Sequence, residues 1–197
     1  YLRSMSDMEA RPIPGTVNID PADPFFSPDG AWVGFFSVGD TSLKKIAVSG
    51  GAAVTLCKLA AVSSVGLFQG GSWHDDEILF AQQGKGIMRV SANGGEPSVL
   101  VPVEASQIAW GPQRLPGGQA VLFSVSGGLG NDRWDTAQIV VQPQPTGERK
   151  VLIQGGSAAR YVPTGHIVYA LGGTVLAQPF DLERLEVRGG PVPVLEN

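Results

Sequence analysis

The sequence has a single cysteine, Cys57, among its 197 residues, which excludes a disulfide within the chain. Basic residues are few as well: 14 Lys and Arg stand against 18 Asp and Glu, for a formal net charge of −4. A chain with this charge lacks the excess of Lys and Arg that is typical of proteins that bind nucleic acid or an acidic membrane surface. No apolar run approaches the roughly 18 residues of a membrane span. We therefore expect no nucleic acid partner and no membrane segment within this chain.

The sequence also lacks the short motifs of several enzyme classes. It contains no G-x-S-x-G nucleophile elbow, no H-E-x-x-H pair, no EF-hand loop, and neither the HRD nor the DFG of a protein kinase. Its two histidines, His74 and His166, do not combine with a cysteine at the spacing of a zinc site. We expect no metal and no cofactor.

Turn residues, by contrast, are abundant. The 27 Gly and 15 Pro are scattered between apolar runs, which indicates many tight turns in a folded chain. Helical periodicity of the apolar residues is not sustained anywhere, which argues against a helical fold.

One arrangement of turns and strands occurs four times. Each unit has a turn, two apolar strands, a Gly-rich turn and a third strand ending in Leu, as in WHDD, EILFAQ, KGIMRVSA and NGGEPSVL. The equivalent apolar positions recur about every 45 residues, at Val33, Ile78, Val121 and Ile167. A period of that length with several short strands is typical of the blades of a β-propeller.

We predict an all-β protein in which residues 1–197 form a single β-propeller domain. About four four-stranded blades are expected, at approximately 17–58, 59–103, 104–154 and 155–197, and residues 1–16 supply an outer hairpin of a preceding or closing blade. The ring is either complete and small or part of a larger one. Uncovered end faces are apolar in such a fold, so the chain is a possible homo-oligomer through its blade ends.

Each blade is expected to begin with an inner strand that precedes its turn. These strands are DPFFS, LFQGGSW, SQIAWG and SAARYV, which carry aromatic residues at matching places: Phe26, Trp73, Trp110 and Tyr161. Burial between neighbouring blades is the favoured interpretation, because aromatic residues that recur in strands usually bury area. An exposed stacking platform is the alternative.

Several segments carry a family resemblance. FFSPDGAWVGFFS, LKKIAVSGGAAVTL and IMRVSANGGEPSVL resemble the WD-like repeats of TolB-type bacterial propellers. The final GHIVYALGGTVLAQPFDLERLEVRGGPVPV is similar to the closing section of the C-terminal sensor propellers of bacterial serine/threonine protein kinases, and the opening YLRSMSDMEARPIPGT fits the same group. The resemblance implies a scaffold that recognises a partner on the periplasmic or extracellular side of a bacterial envelope. It implies no kinase activity here.

Asp29, in the turn SPDG, is interpreted as structural. Asp followed by Gly between two strands is a hairpin signal, in which the carboxylate accepts local backbone N–H groups and Gly30 takes a positive φ. Gly117 and Thr164 fill the same place in later blades, so the position needs no reactive group.

The best binding candidate is an insertion in the third blade, SGGLGNDRWD, which interrupts otherwise short loops. Its donors, acceptors and aromatic face suit a protein, peptide or glycan ligand. The residues concerned are Asn131, Asp132, Arg133, Trp134 and Asp135. The alternative is a surface loop without a binding role, in which Trp134 packs on the blade. His74, in the polar cluster WHDDE, is a further binding candidate, although a solvated turn is the favoured interpretation.

The lack of paired chemical motifs favours a non-catalytic binding or protein-interaction propeller, a sensor or scaffold segment of a larger bacterial protein. The alternative is a glycan-acting hydrolase with opposed carboxylates near the central opening. Its candidate residues are Asp20, Asp23 and Asp75.

Overall fold

The computed structural model describes residues 1–17, 19–59, 68–127 and 133–195, and every regular element in these ranges is a β-strand. The first sheet contains β1 (Pro21–Phe26), β2 (Trp32–Ser37), β3 (Ser42–Ala47) and β4 (Val54–Lys58). The second contains β5 (Phe68–His74), β6 (Glu77–Gln82), β7 (Gly86–Ser91) and β8 (Ser98–Val101). The third contains β9 (Ile108–Arg114), β10 (Ala120–Ser126), β11 (Gln138–Pro143) and β12 (Lys150–Gln154). The fourth contains β13 (Ser157–Val162), β14 (His166–Leu171), β15 (Thr174–Asp181), β16 (Glu186–Val187) and β17 (Val192–Leu195).

Each sheet is an antiparallel meander in which sequential strands are neighbours. In the fourth, β16 and β17 both pair with β15, at different parts of that strand. The prediction of an all-β protein with four blades is confirmed. A single antiparallel bridge between Leu2 and Arg11 marks the expected N-terminal hairpin.

The inner strands of successive blades pack side by side in the order β1, β5, β9 and β13. Apolar side chains fill each junction between neighbouring blades and form three separate clusters. Strand β10 is buried along its whole length because a blade covers each of its faces. Among the described strands, β13 of the last blade makes no comparable packing against β1 of the first, so the four blades form an open arc about the axis.

The end face of the first blade is covered by the N-terminal segment. Ile13 joins a buried cluster with Val33 and Phe35 of strand β2, and Leu2 packs against the same cluster. Strand β2 is therefore buried on both faces from Val33 to its end, although no blade precedes it among the described residues.

The end face of the fourth blade is not covered in this way. Ile167 and Tyr169 in β14 point into the junction with the third blade, whereas the alternating Val168 and Ala170 point away from it and stay partly exposed. Val192 on the outer strand β17 is more than half exposed. The uncovered apolar face of the arc is therefore the outward face of the fourth blade.

We expect the chain to self-associate through this face of the fourth blade, because two copies can bury it against each other. Val168→Lys should shift the molar mass measured by light scattering toward the monomer. Val54→Lys, at an exposed valine on an outer strand of the first blade, makes the same change in charge elsewhere and should leave the mass unchanged. A wild-type chain that is monomeric at all concentrations would contradict this expectation.

Candidate functional site

The inner strands end together at one rim of the arc, beside the turns that lead to the second strands. At these ends lie the partners of the four apolar positions that recur in the sequence. They are Phe26 opposite Val33, Trp73 opposite Ile78, Arg114 opposite Val121, and Tyr161 opposite Ile167. The third of the matching places therefore belongs to Arg114, and its assignment to Trp110 from the sequence is wrong.

A β-bulge interrupts every inner strand, and Trp110 precedes the bulge of its strand, whereas Phe26, Trp73 and Tyr161 follow theirs. The pairing register shifts at this point in all four blades. The bulged residues all have a positive φ: Asp23 (47°), Gly70 (79°), Gly111 (58°) and Ala158 (55°). A bulge of this kind bends the strand and strengthens its twist. Because Asp, Gly and Ala share no side-chain chemistry, the sequence gives no common signal for it.

The strand ends enclose a depression of about 700 Å³ at the axis, which we call the cup. Its walls carry Phe26, Trp73 and Tyr161, together with Arg114 and Arg160, and no Asp or Glu is among the lining residues in the described part of the chain. Phe26 is 54% exposed and lines both the cup and a second depression beside the N-terminal segment, so it is not buried between blades as the sequence suggested. Trp73 and Tyr161 do pack partly against the clusters between blades, as predicted, and each also lines the cup. The cup falls within the size range of small-ligand sites, and its mixture of aromatic and polar groups is typical of them.

The two arginines of the cup differ in their partners. Arg114 donates from Nε to Glu77 Oε2 at 2.8 Å, and its Nη2 contacts the same oxygen. Arg160 donates from Nη1 to the carbonyl oxygens of Gly111 at 2.6 Å and Ala159 at 3.0 Å. Burial lowers the pKa of Arg160, because a desolvated guanidinium loses part of its hydration.

Gln113 fastens the third blade to the fourth beside the cup. Its Nε2 donates to the carbonyl oxygen of Tyr161 at 3.2 Å, and the Tyr161 N–H donates to Gln113 Oε1 at 2.7 Å. The amide side chain thus pairs with the inner strand of the next blade much as a strand backbone does.

Gln113→Ala is expected to lower the free energy of unfolding by about 1–3 kcal/mol, because it leaves both partly buried backbone groups of Tyr161 unpaired. Urea denaturation followed by circular dichroism measures the change. Gln119→Ala is the control, since Gln119 is exposed in a turn of the same blade and should have little effect. Equal stabilities for the two variants would show that the link to Tyr161 does not stabilise the fold.

His74 lies on the cup rim at the end of β5, and its Nδ1 is 3.1 Å from Asp75 Oδ2. The Asp75 side chain is 85% exposed, and its backbone has a φ of 48°. Of the sequence candidates that the structure describes, His74 is the one that lines the cup. Its ring can donate to or accept from a ligand at the rim, depending on its tautomer.

The carboxylates proposed for hydrolysis do not oppose each other in the cup lining. Asp23 sits at the bulge of β1, accepts a hydrogen bond from the backbone of Gly70, and has its pKa raised by burial. Asp20 is exposed ahead of that strand, and Asp75 projects into solvent at the rim. Asp29 fulfils the structural role expected of it, because its Oδ1 accepts hydrogen bonds from Ser27 Oγ at 2.5 Å and the Ala31 N–H at 3.0 Å.

The described part of the insertion packs on its own blade through Trp134 and reaches the fourth blade through Asp135. The rings of Trp134 and Trp110 meet edge to face at 5.6 Å, and the Arg133 guanidinium lies 5.3 Å from the Trp134 ring centre. The carboxylate of Asp135 accepts a hydrogen bond from the Gly172 N–H at 3.4 Å. These contacts correspond to the alternative stated above, a surface loop in which Trp134 packs on the blade.

The insertion and His74 do not form one site. The described part of the insertion lies between β10 and β11, at the rim opposite the turns that border the cup. Asn131 and Asp132 lie outside the described residues.

Within the described ranges, no three His, Cys, Asp or Glu side chains are grouped to hold a metal ion. No helix there has the length and apolar character needed to cross a membrane. Cys57 is buried, and burial raises the pKa of its thiol to about 11.

No protein-family model and no curated protein sequence matches this chain. Solved structures do match it. A putative TolB from Agrobacterium tumefaciens aligns with a TM-score of 0.67 at 16% identity, over 93% of this chain and 68% of that one. A luciferin-regenerating enzyme aligns with a TM-score of 0.64 at 12% identity, over 89% of this chain and 60% of that one.

A gluconolactonase from Xanthomonas campestris aligns with a TM-score of 0.64 at 10% identity, over 87% of this chain and 61% of that one. At such identities the likenesses show the fold alone, which is a β-propeller with TolB-like and gluconolactonase neighbours. The chain spans about three fifths of the length of the two enzymes.

Proposed function

We propose that this chain is a non-catalytic binding propeller whose ligand occupies the cup. The observation that carries the proposal is the convergence of Phe26, Trp73 and Tyr161, from three different blades, on one depression that also holds two arginines. Exposed aromatic rings beside fixed hydrogen-bonding groups are the usual composition of a recognition site. Among the described residues the cup lining contains no paired carboxylates, so it offers the hydrolase alternative no acid and base there.

Binding is best tested with a panel of peptides and glycans and an indole resonance as reporter. The Trp73 Nε1–H donates to the backbone oxygen of Asp75 at 2.9 Å, so a ligand that enters the cup should shift its NMR signal. Phe26→Ala should weaken a panel member that binds by about tenfold or more, because it removes an aromatic wall.

Trp134→Ala is the matched control, since it removes an aromatic residue at the opposite rim of the arc and should leave binding unchanged. Loss of binding in Trp134→Ala alone would place the ligand at the insertion and contradict the cup proposal. No signal shift with any panel member would also count against it.

The biological setting of this binding is a second part of the proposal. The resemblance of the closing segment to kinase sensor propellers supports a sensor or scaffold segment of a larger bacterial protein, facing the periplasm or the exterior. The enzymes among the structural neighbours have the same fold at 10% and 12% identity, which leaves their activities out of the argument.

A further inference from the structure

We infer that the cup selects ligands that bear a carboxylate, and that Arg160 binds this group; the inference rests on the proposed binding function. Two properties of Arg160 support it: the contacts that hold its guanidinium in place, and the donors that those contacts leave for a ligand.

The guanidinium of Arg160 is fixed near the axis. Although Arg160 belongs to the fourth blade, its Nη1 donates to Gly111 in the inner strand of the third. A Cβ on Gly111 would lie 3.1 Å from this nitrogen, so the absence of a side chain at Gly111 makes room for the arginine. A second bond from Nη1 to Ala159 fixes its orientation further. The cation is therefore held in place before a ligand arrives.

Arg160 lacks a carboxylate partner among the described residues, unlike the other arginine in the cup. Arg114 is neutralised by Glu77, whereas none of the described ion pairs includes Arg160. A cation that is partly desolvated without a counter-ion costs free energy, and an anionic ligand offsets that cost. Of the two arginines in the cup, Arg160 should therefore contribute more to the binding free energy of an anionic ligand.

The free donors of Arg160 favour a carboxylate over other anions. Nη1 is already engaged with two carbonyl oxygens, and none of the described hydrogen bonds uses Nε or Nη2. Nε and Nη2 form one edge of the planar guanidinium, and this edge matches the two oxygens of a carboxylate. One such cation balances a single negative charge, which suits a monoanion better than a phosphate dianion.

The remaining walls indicate what the carboxylate is attached to. Phe26, Trp73 and Tyr161 line the cup, and aromatic side chains of this kind can pack against the face of an aromatic or sugar ring. The expected ligand class is a carboxylate on an aromatic or sugar ring.

Two matched pairs of probes test the carboxylate directly. Indole-3-acetate and indole-3-acetamide differ in charge on an aromatic body, and methyl glucuronide and methyl glucoside differ in the same way on a sugar. Dissociation constants come from NMR titration of the Trp73 indole signal. We expect the acid of at least one pair to bind ten times or more tightly than its neutral partner, and the pair that binds identifies the ring as aromatic or sugar.

Arg160→Gln should reduce the affinity for the acid to that of its neutral partner and leave the neutral partner unchanged. Arg149→Gln is the control, because it removes another partly buried arginine, bonded to the Pro102 carbonyl oxygen away from the cup, and should preserve the preference. Equal binding of acid and neutral probes to the wild type would overturn the carboxylate inference while supporting binding in the cup. If no probe binds, both the inference and the cup proposal are contradicted.

Discussion

Gly86→Ala is expected to lower the free energy of unfolding by about 3 kcal/mol or more, one of the largest effects of any single methyl group in this chain. Gly86 begins strand β7 with a φ of 99°, a conformation that residues with a side chain rarely adopt. An added Cβ would also collide with the backbone: it would overlap the carbonyl oxygen of Val101 and lie 2.9 Å from the nitrogen of Val103. Since the obstacle is backbone, rotation of a side chain cannot relieve it, and the edge of the second blade must move.

Gly84→Ala separates the two causes. Gly84 lies in the turn before Gly86 and has a φ of 76°, but nothing lies within 4 Å of the point that a Cβ would occupy there. It should therefore show only the conformational cost, about 1–2 kcal/mol. Urea denaturation of both variants gives the difference. If the two variants lost the same stability, the close approach of the Val101–Val103 backbone to Gly86 would not be a constraint on the fold.

The repeat made the fold predictable from sequence because its strongest signals are local. Val33, Ile78, Val121 and Ile167 recur at a fixed interval between turn residues, and all four are buried in second strands of the blades. Alternation and turn chemistry act over a few residues, so they can be read without knowing the tertiary structure.

The matching places of the inner strands were harder to predict, because the bulges break the alternation. In β9 the two bulged residues separate Trp110, which pairs with Ser124, from Arg114, so Trp110 precedes the bulge and Arg114 follows it. Pairing with Val121, which is visible only across strands, decides for Arg114.

The cup was missed because no single segment contains it. It collects three or four residues from each of four segments that lie about 45 residues apart, and each residue looks structural within its own strand. The long insertion attracted attention because loops carry function in many proteins. One pattern in the sequence did indicate the cup. Arg160 and Tyr161 lie near the end of one inner strand, and Trp73 and His74 lie near the end of another.

Phe80→Ala is expected to lower the free energy of unfolding by about 3–5 kcal/mol. Phe80 is fully buried, and Phe68 stacks between it and Phe36 of the first blade, with ring centres 5.8 Å and 5.4 Å apart. The three rings join the first two blades, so truncation leaves a cavity that a stiff pair of sheets cannot close. Thermal and urea unfolding measure the loss.

Phe26→Ala is the matched control for Phe80→Ala, because it removes the same side chain from a residue that is 54% exposed in the cup. Its loss of stability should stay below about 1 kcal/mol, since little buried area is removed. The pair thus separates two uses of one residue type in this propeller: Phe80 joins blades, and Phe26 faces the proposed ligand. A Phe26→Ala variant as unstable as Phe80→Ala would show that Phe26 supports the fold and would remove it from the proposed site.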